Sequence, residues 1–258
     1  MNVAFAIASV VLKELCRRKD FYVLFVLTAL ITVLLGSVSF FDDRSVARYL
    51  KEICLLLIWI SSIVIGIMSA ARQIPTEREN RTIFPLLAKP VTRGQLILGK
   101  FLGCWVAAGL ALLVFYGFFA IIAGTREQEW PWLTFLQAAG LHWIFLAVTI
   151  GLALFGSIIF AAPSSNATIC FVVVGTILIL GRHLNTVALQ QSEPLSTLLY
   201  IVYYLIPHLE FFDLRELVVH NAAPRPWAVW SVACVYGLCY ATLFLWSAWM
   251  AFRRKSLS

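Results

Sequence analysis

The sequence predicts an all-α integral membrane protein whose single domain, residues 1–258, contains six transmembrane helices. Of the 258 residues, 61% are hydrophobic and only 13% are charged, and the mean hydropathy is +0.88. Soluble domains carry about a quarter charged residues. Several apolar stretches also reach the roughly 20 residues that a helix needs to cross the hydrocarbon core. The polar connections are too short to hold a nucleotide-binding or catalytic domain of ordinary size.

Residues 1–20 are predicted to form an amphipathic helix before the first span. Apolar residues recur there at intervals of three and four, the pattern of one helix face: Val3, Ile7, Val10, Val11 and Leu15. Basic residues cluster at the end of this stretch, next to the membrane. Two interpretations stay open: an interfacial elbow helix on the inner leaflet, or a cytoplasmic extension of the first span with snorkelling basic side chains.

Six apolar segments are predicted to cross the membrane: 21–40, 53–71, about 96–123, 135–160, 167–180 and 227–252. The fifth, 167–180 with flanks, is short, so it must pack among longer neighbours, thin the bilayer locally or borrow from its flanks. With both termini in the cytoplasm, the cytoplasmic stretches hold 13 Lys and Arg against 4 Asp and Glu. The remaining stretches hold 7 against 9. This asymmetry predicts a multi-pass protein of the cell (inner) membrane with cytoplasmic termini.

A polar interruption, residues 72–100, separates the second and third spans and carries six Lys and Arg and two Glu. Pro75 is predicted to end the preceding helix. The pattern Thr76-x-x-Glu79 is typical of a capping box that starts a short helix. An ordinary amphipathic helix resting on the headgroups is equally compatible with this periodicity.

The same interruption ends with a second capping pattern. Pro90 is predicted to stop the short helix, and Thr92-x-x-Gln95 to begin the third span. The order is therefore a span, a short capped helix, a turn and a capped span. A helix held at both ends in this way can present side chains to a cleft outside the bilayer.

This segment resembles the cytoplasmic loop of ABC-2 type transporter permeases, the transmembrane subunits of ABC exporters. The loop pattern of that family runs approximately E-R-E-x-G-T-L-x-x-L-L-S-x-P-V-S-R-x-x-L-x-x-G-K. The chain follows it without gaps over 24 residues, with Thr92 in place of Ser. The matching residues are Glu77, Arg78, Glu79, Thr82, Leu86, Leu87, Pro90, Val91, Arg93, Leu96, Gly99 and Lys100.

The resemblance implies that the loop over residues 72–95 carries a coupling helix, which seats in a groove of a separate ATP-hydrolysing subunit. The residues implied to make this contact are Thr76, Glu77, Arg78, Glu79, Thr82, Ile83, Phe84, Leu86 and Leu87. Two positions depart from the family. Arg81 stands where Gly is common, and Pro85 falls in mid-helix, where it removes a backbone hydrogen bond. The docking surface is therefore expected to be two short turns with Phe84 at the bend.

The resemblance further implies two ATPase subunits and a second permease chain, identical or related, as partners in the bilayer. The chain has no G-x-x-x-x-G-K-[ST] motif, so ATP and Mg are expected on the ATPase subunit. No cofactor and no enzymatic activity are predicted for the chain itself. Anionic lipid accounts for its basic charge without nucleic acid. Acidic residues are absent from the span centres, which disfavours a proton- or sodium-coupled carrier.

Residues 182–226 form the one sizeable outer segment. Two short apolar runs there, 194–205 and 208–220, predict re-entrant or interfacial helices at the outer leaflet. Similar helices cap the transport exit in ABC-2 permeases, and sealing of the dimer top is an equally compatible interpretation. The segment also holds three histidines and several carboxylates: His183, His208, His220, Glu193, Glu210, Asp213 and Glu216. No two of these histidines have the spacing of one helix face, so no metal site is predicted.

Two local features complete the predictions. His142 is expected near the outer interface, and Pro163 and Asn166 are expected to form a tight inner turn. Two other functions stay open at this point. One is an integral membrane enzyme that uses the outer histidines and carboxylates, and the other is a non-transporting scaffold for a cytoplasmic partner.

Overall fold

The computed structural model describes residues 3–17, 22–23, 26–31, 33, 43–80, 91–127 and 130–254. These residues form helices joined by turns and contain no strand. The elements are α1 Val3–Cys16, α2 Asp43–Ala71, α3 Pro75–Glu79, α4 Arg93–Glu127, α5 Trp132–Ile159, α6 Pro163–Gln190, α7 Leu195–Leu205, a 3₁₀ helix Leu209–Phe212, α8 Arg215–Val219 and α9 Trp227–Arg254.

Six stretches of the described residues are long and apolar enough to cross a membrane: Arg48–Glu79, Arg93–Thr125, Trp132–Ile159, Pro163–Gly181, Leu195–Val219 and Trp227–Arg254. Five of them correspond to the second to sixth predicted spans. The first predicted span, 21–40, lies largely outside the described residues, and its described positions are helical. The prediction of an all-α membrane protein is confirmed.

The remaining stretch, Leu195–Val219, falls in the predicted outer segment and is not one continuous helix. α7 ends at Leu205, and the 3₁₀ helix and α8 follow beyond Pro207. At 1.5 Å per residue, the 11 residues of α7 cover about 17 Å, far less than the hydrocarbon core. Its geometry therefore agrees with a short helix that does not cross the bilayer alone.

α5 lies at the centre of the bundle and packs against α2, α4, α6 and α9. Small residues on α5 allow neighbouring helices to approach it closely. A Cβ atom added at Gly140 would lie 2.8 Å from the Trp230 ring, and one at Gly151 would lie 3.4 Å from the backbone of Ala241. Helices in membranes commonly associate through such small residues.

The fifth span uses its flanks, as its short apolar centre predicted. α6 has 28 residues, Pro163–Gln190, and the part of it that is apolar enough to cross is Pro163–Gly181, which extends 167–180 at both ends. The helix continues past the polar residues after Gly181, which the hydropathy pattern had placed outside the membrane. With these flanks, the 19 residues of Pro163–Gly181 cover about 29 Å, close to the thickness of the hydrocarbon core.

Asn166 does not form a turn, contrary to prediction. Pro163 begins α6, and Asn166 lies fully buried in its first turn. Its Nδ2 donates hydrogen bonds to the backbone oxygens of Ala153, at 2.9 Å, and Ala71, at 3.4 Å. The amide thus joins α6 to α5 and to the end of α2, because a buried polar side chain needs such partners.

α1 packs along the beginning of α4. Added Cβ atoms at Gly99 and Gly103 would lie 2.7 Å from Ile7 Cβ and 2.6 Å from Val11 Cβ, so only glycine allows this approach. Val11 and Leu15, two residues of the predicted apolar face of α1, are buried in this contact. Val10 is 65% exposed and lies outside this contact.

Candidate functional site

The predicted coupling loop begins at one end of the bundle, called here the loop end. Thr76, Glu77, Arg78 and Glu79 lie in α3, where Glu79 is exposed and the other three are half-buried. The other predicted coupling residues lie outside the described residues: Thr82, Ile83, Phe84, Leu86 and Leu87.

α3 does not begin with the predicted capping box. Ile74 is its N-cap residue, no side chain caps the helix, and Pro75 occupies its first turn. Pro75 therefore starts α3 and does not end the preceding helix, which ends at Ala71. The first helical position favours proline, because a backbone N–H would have no partner within the helix there and the φ angle of proline is already helical. Thr76 consequently lies inside the helix.

The second capping pattern is confirmed at the start of α4. The backbone N–H of Gln95 donates to Thr92 Oγ1 at 3.2 Å, and the backbone N–H of Thr92 donates to Gln95 Oε1 at 3.0 Å. This reciprocal pair satisfies two donors that a helix start leaves unpaired. The loop thus enters the third span in a fixed direction.

A buried lysine joins α3 to two spans. Lys100, on α4, is 3% exposed, and its Nζ lies 2.7 Å from Glu77 Oε1 and donates to Gln73 Oε1 at 3.1 Å. Gln73 Nε2 in turn donates to the backbone oxygen of Ser69, on α2, at 3.2 Å. A buried ammonium is costly unless it is paired and hydrogen-bonded, so this arrangement holds the start of the loop against α4 and the end of α2.

Arg93 holds the other end of the loop. Its guanidinium donates to the backbone oxygens of Phe252 and Arg253 at the end of α9 and lies 5.2 Å from the centre of the Phe252 ring. The last carbonyls of a helix have no partner within the helix, and a cation there is favourable. Both ends of the loop are therefore attached to the bundle.

Comparison with known protein families decides the class of this protein. The profile of a family described as ABC-2 family transporter protein matches residues 6–257. The chain belongs to the ABC-2 transporter family. It is a multi-pass membrane permease subunit, and membership implies an ABC ATPase as its partner. A comparison with curated proteins found no match.

His142 of the permease lies in the bundle core, enclosed by neighbouring helices. It is fully buried, with its Nε2 2.7 Å from Ser62 Oγ and its ring stacked on Trp59 at 4.6 Å between centroids. Its Nδ1 lies 3.4 Å from the hydroxyl of Tyr116. Its contacts with Ser62, Trp59 and Tyr116 could not be predicted from the sequence, because those residues lie on other helices.

The outer histidines of the permease do not converge on one point. His208 Nδ1 lies 3.6 Å from Glu210 Oε1, while His183 and His220 line a cavity at the end of the bundle opposite the loop. Within the described ranges, no group of three or more His, Cys, Asp or Glu side chains could hold a metal ion. The histidines therefore mark a cavity wall, which sequence reasoning did not anticipate.

Proposed function

We propose that this permease is the transmembrane subunit of an ATP-driven exporter, and that its coupling helix lies within residues 76–87. The ABC ATPase implied by family membership would bind this helix at the cytoplasmic face. The observation that carries the proposal is the contact between Glu77 and the buried Lys100. It connects the first turn of the loop directly to the third span.

In the proposed mechanism, ATP binding draws two ATPase subunits together and displaces α3. Because Lys100 is held by both Glu77 and Gln73, α3 cannot shift without shifting the beginning of α4 and the end of α2. The permease must have two discrete arrangements whose balance the ATPase biases, since otherwise no coupling results. The spans then rearrange at the interface with a second permease chain and open an outward path.

The two carboxylates of α3 have different tasks in this proposal. Glu79 is exposed and available to the ATPase, whereas Glu77 turns inward to Lys100. Contact with the ATPase is therefore assigned to Glu79 and the undescribed residues that follow it. Transmission into the membrane is assigned to Glu77.

The orientation follows the same reasoning. The excess of Lys and Arg in the stretches at the loop end supports a cytoplasmic location for that end and for both termini. The cell membrane is the expected location, and ATP and Mg are expected on the ATPase and not on the permease.

Copurification from native membranes tests the docking step. The tagged permease is extracted in mild detergent, and stoichiometric partners are identified by mass spectrometry. Glu79→Lys should lose most of a P-loop ATPase that the unaltered chain retains, because charge reversal on a docking surface costs affinity. Glu193→Lys, the same change on an exposed carboxylate at the opposite end, is the control and should retain it. Equal retention by both variants would overturn the assignment.

A further inference from the structure

One buried amide holds the beginning of α6 to two other spans. Asn166 is fully buried in the first turn of this helix. Its Nδ2 donates to the backbone oxygen of Ala153, on α5, at 2.9 Å and to that of Ala71, the last residue of α2, at 3.4 Å. Backbone oxygens only accept hydrogen bonds, so both contacts require the NH₂ group of the amide on this side. A single side chain therefore joins α2, α5 and α6 at the loop end.

The backbone oxygen of Ala71 needs a donor from another helix. In a continuing helix its donor would be the N–H of residue 75, but Pro75 has no N–H. The next bond in the series is present, since the N–H of Thr76 donates to the oxygen of Arg72 at 3.1 Å. The backbone between α2 and α3 thus keeps helical spacing. Asn166 donates to the oxygen that Pro75 leaves without its usual partner.

Asn166 also fits closely against α5. A Cβ atom added at Gly156 would collide with Asn166 Oδ1, so only a residue without a side chain allows this approach. The same Oδ1 accepts a hydrogen bond from the thiol of Cys170, one turn further along α6, at 3.5 Å. Both ends of the amide are therefore fixed, and rotation of this side chain would break its bonds to α2 and α5.

Ala71 lies at the base of the proposed coupling segment. α3 begins four residues later. Just before Ala71, the backbone oxygen of Ser69 accepts a hydrogen bond from Gln73, which also binds Lys100. The end of α2 therefore receives any displacement of α3, and Asn166 is attached to that end.

α6 is only loosely enclosed by the bundle. Of its most apolar 18-residue stretch 28% is buried, against 78% for α5. Among the spans, α6 packs mainly against α2 and α5, the two helices to which Asn166 donates. The contact between Glu77 and Lys100 enters α4. A displacement of the loop therefore reaches α6 through the end of α2.

We infer that Asn166 is a positioning residue for coupling, whose hydrogen bond to Ala71 makes α6 follow the end of α2 when the ATPase displaces α3. The inference rests on the proposed coupling function. It adds the fifth span to the path, whereas the contact between Glu77 and Lys100 serves the third. Asn166 acts through α2 and is fully buried, so it takes no part in the docking surface itself.

A double-variant cycle tests the hydrogen bond. Asn166→Ala should lower the Tm of the purified permease, because it leaves the buried oxygen of Ala71 without a donor. In the Pro75→Ala background, the new N–H at residue 75 can donate to that oxygen. Asn166→Ala should therefore lower the Tm by less in this background. Equal losses in the two backgrounds would overturn the bond on which the inference depends.

The distance between α2 and α6 through the ATPase cycle tests the role in coupling. Spin-labelled noncanonical amino acids at Met68 and Ile179, both exposed, avoid the native cysteines. Pulsed electron paramagnetic resonance measures their distance in the reconstituted complex with its ATPase, diluted with unlabelled permease. In the unaltered chain the distance should be the same with and without ATP. In Asn166→Ala it should become ATP-dependent or broaden.

Two further variants separate coupling from structural support. In Asn166→Ala/Pro75→Ala the Ala71 oxygen has a donor but α6 is no longer bonded to α2, so the distance should still depend on ATP. A merely structural role of Asn166 would leave that distance constant. Asn185→Ala, the same change at an exposed position of α6, is the control and should also leave it constant.

An ATP-dependent distance in the unaltered complex would overturn the inference even if every variant failed to fold. A constant, narrow distance in a folded Asn166→Ala complex that retains its ATPase would overturn it as well. Failure of the proposed function gives a different result, because the unaltered chain would then copurify with no ATPase. That result would overturn the coupling function and this inference together.

Discussion

At the scale of single residues, Glu77 supplies the counter-charge of the buried Lys100. This predicts that two neutralising substitutions lower the stability of the permease by different amounts. Glu77→Gln leaves a buried ammonium without its counter-charge, whereas Lys100→Met removes that ammonium and leaves a carboxylate whose side chain is 23% exposed. Breaking a buried pair by removing one partner costs about 3–5 kcal/mol, and the exposure of Glu77 places this case at the lower limit. Glu77→Gln should therefore lower the Tm of the purified permease more than Lys100→Met does.

The double variant Glu77→Gln/Lys100→Met is the internal control for this prediction. Because it removes both charges, it should be more stable than Glu77→Gln alone. Strictly additive losses would contradict the assignment of the pair as a coupled unit.

The residues of the coupling site were predictable in part. Both Glu77 and Lys100 stood out in the loop pattern, but their contact joins positions 23 residues apart and depends on how α3 folds back on α4. The Thr92 cap was predicted correctly because capping is local. The Thr76 cap was wrong because the adjacent Pro75 is favoured at a helix start and moved the N-cap two residues back, to Ile74.

At the scale of helices, the close packing of α1 on α4 predicts that the substitution Gly→Ala has opposite effects on stability at two glycines of α4. In Gly103→Ala the new methyl group would lie 2.6 Å from Val11 Cβ and 2.9 Å from the backbone oxygen of Ala8. Overpacking of this kind costs about 1–3 kcal/mol. At Gly117, also on α4, an added Cβ meets nothing within 4 Å, so Gly117→Ala should stabilise by up to about 1 kcal/mol through helix propensity.

Thermal unfolding in one detergent checks both glycine variants. Gly103→Ala should lower the Tm, and Gly117→Ala should leave it equal or raise it. A Tm lowered equally by both would show that α1 does not pack on α4 as described.

The helices themselves were predictable from hydrophobic length, since each described span is an apolar stretch of adequate length. The extent of α6 was not, because its second half carries polar residues after Gly181 and resembles a loop by hydropathy. In this second half Ala188 is buried, and its backbone oxygen accepts a hydrogen bond from Ser196 Oγ of α7 at 3.0 Å. Tertiary packing thus overrode the local signal.

At the scale of the whole molecule, α2 connects the loop end with the cavity at the opposite end of the bundle. It contributes Glu52 to the cavity, and the oxygen of Ser69 near its other end accepts the hydrogen bond from Gln73. The cavity could not be predicted because its walls come from α2, α6 and α8, which are far apart in the sequence. The sequence marked the outer histidines and carboxylates but gave no sign that Arg48 and Glu52 lie among them.

The distance between α3 and α4 through the ATPase cycle tests the central claim most directly. Spin labels at Asn80 and Leu98, both exposed, report this distance by pulsed electron paramagnetic resonance in the reconstituted complex. Unlabelled permease copies are added to suppress the signal between labels on two different chains. If Glu77 and Lys100 transmit the displacement, the distance should be the same with and without ATP, and Glu77→Gln should make it ATP-dependent or broaden it. An ATP-dependent distance in the otherwise unaltered chain, or an identical narrow distance in Glu77→Gln, would contradict the account.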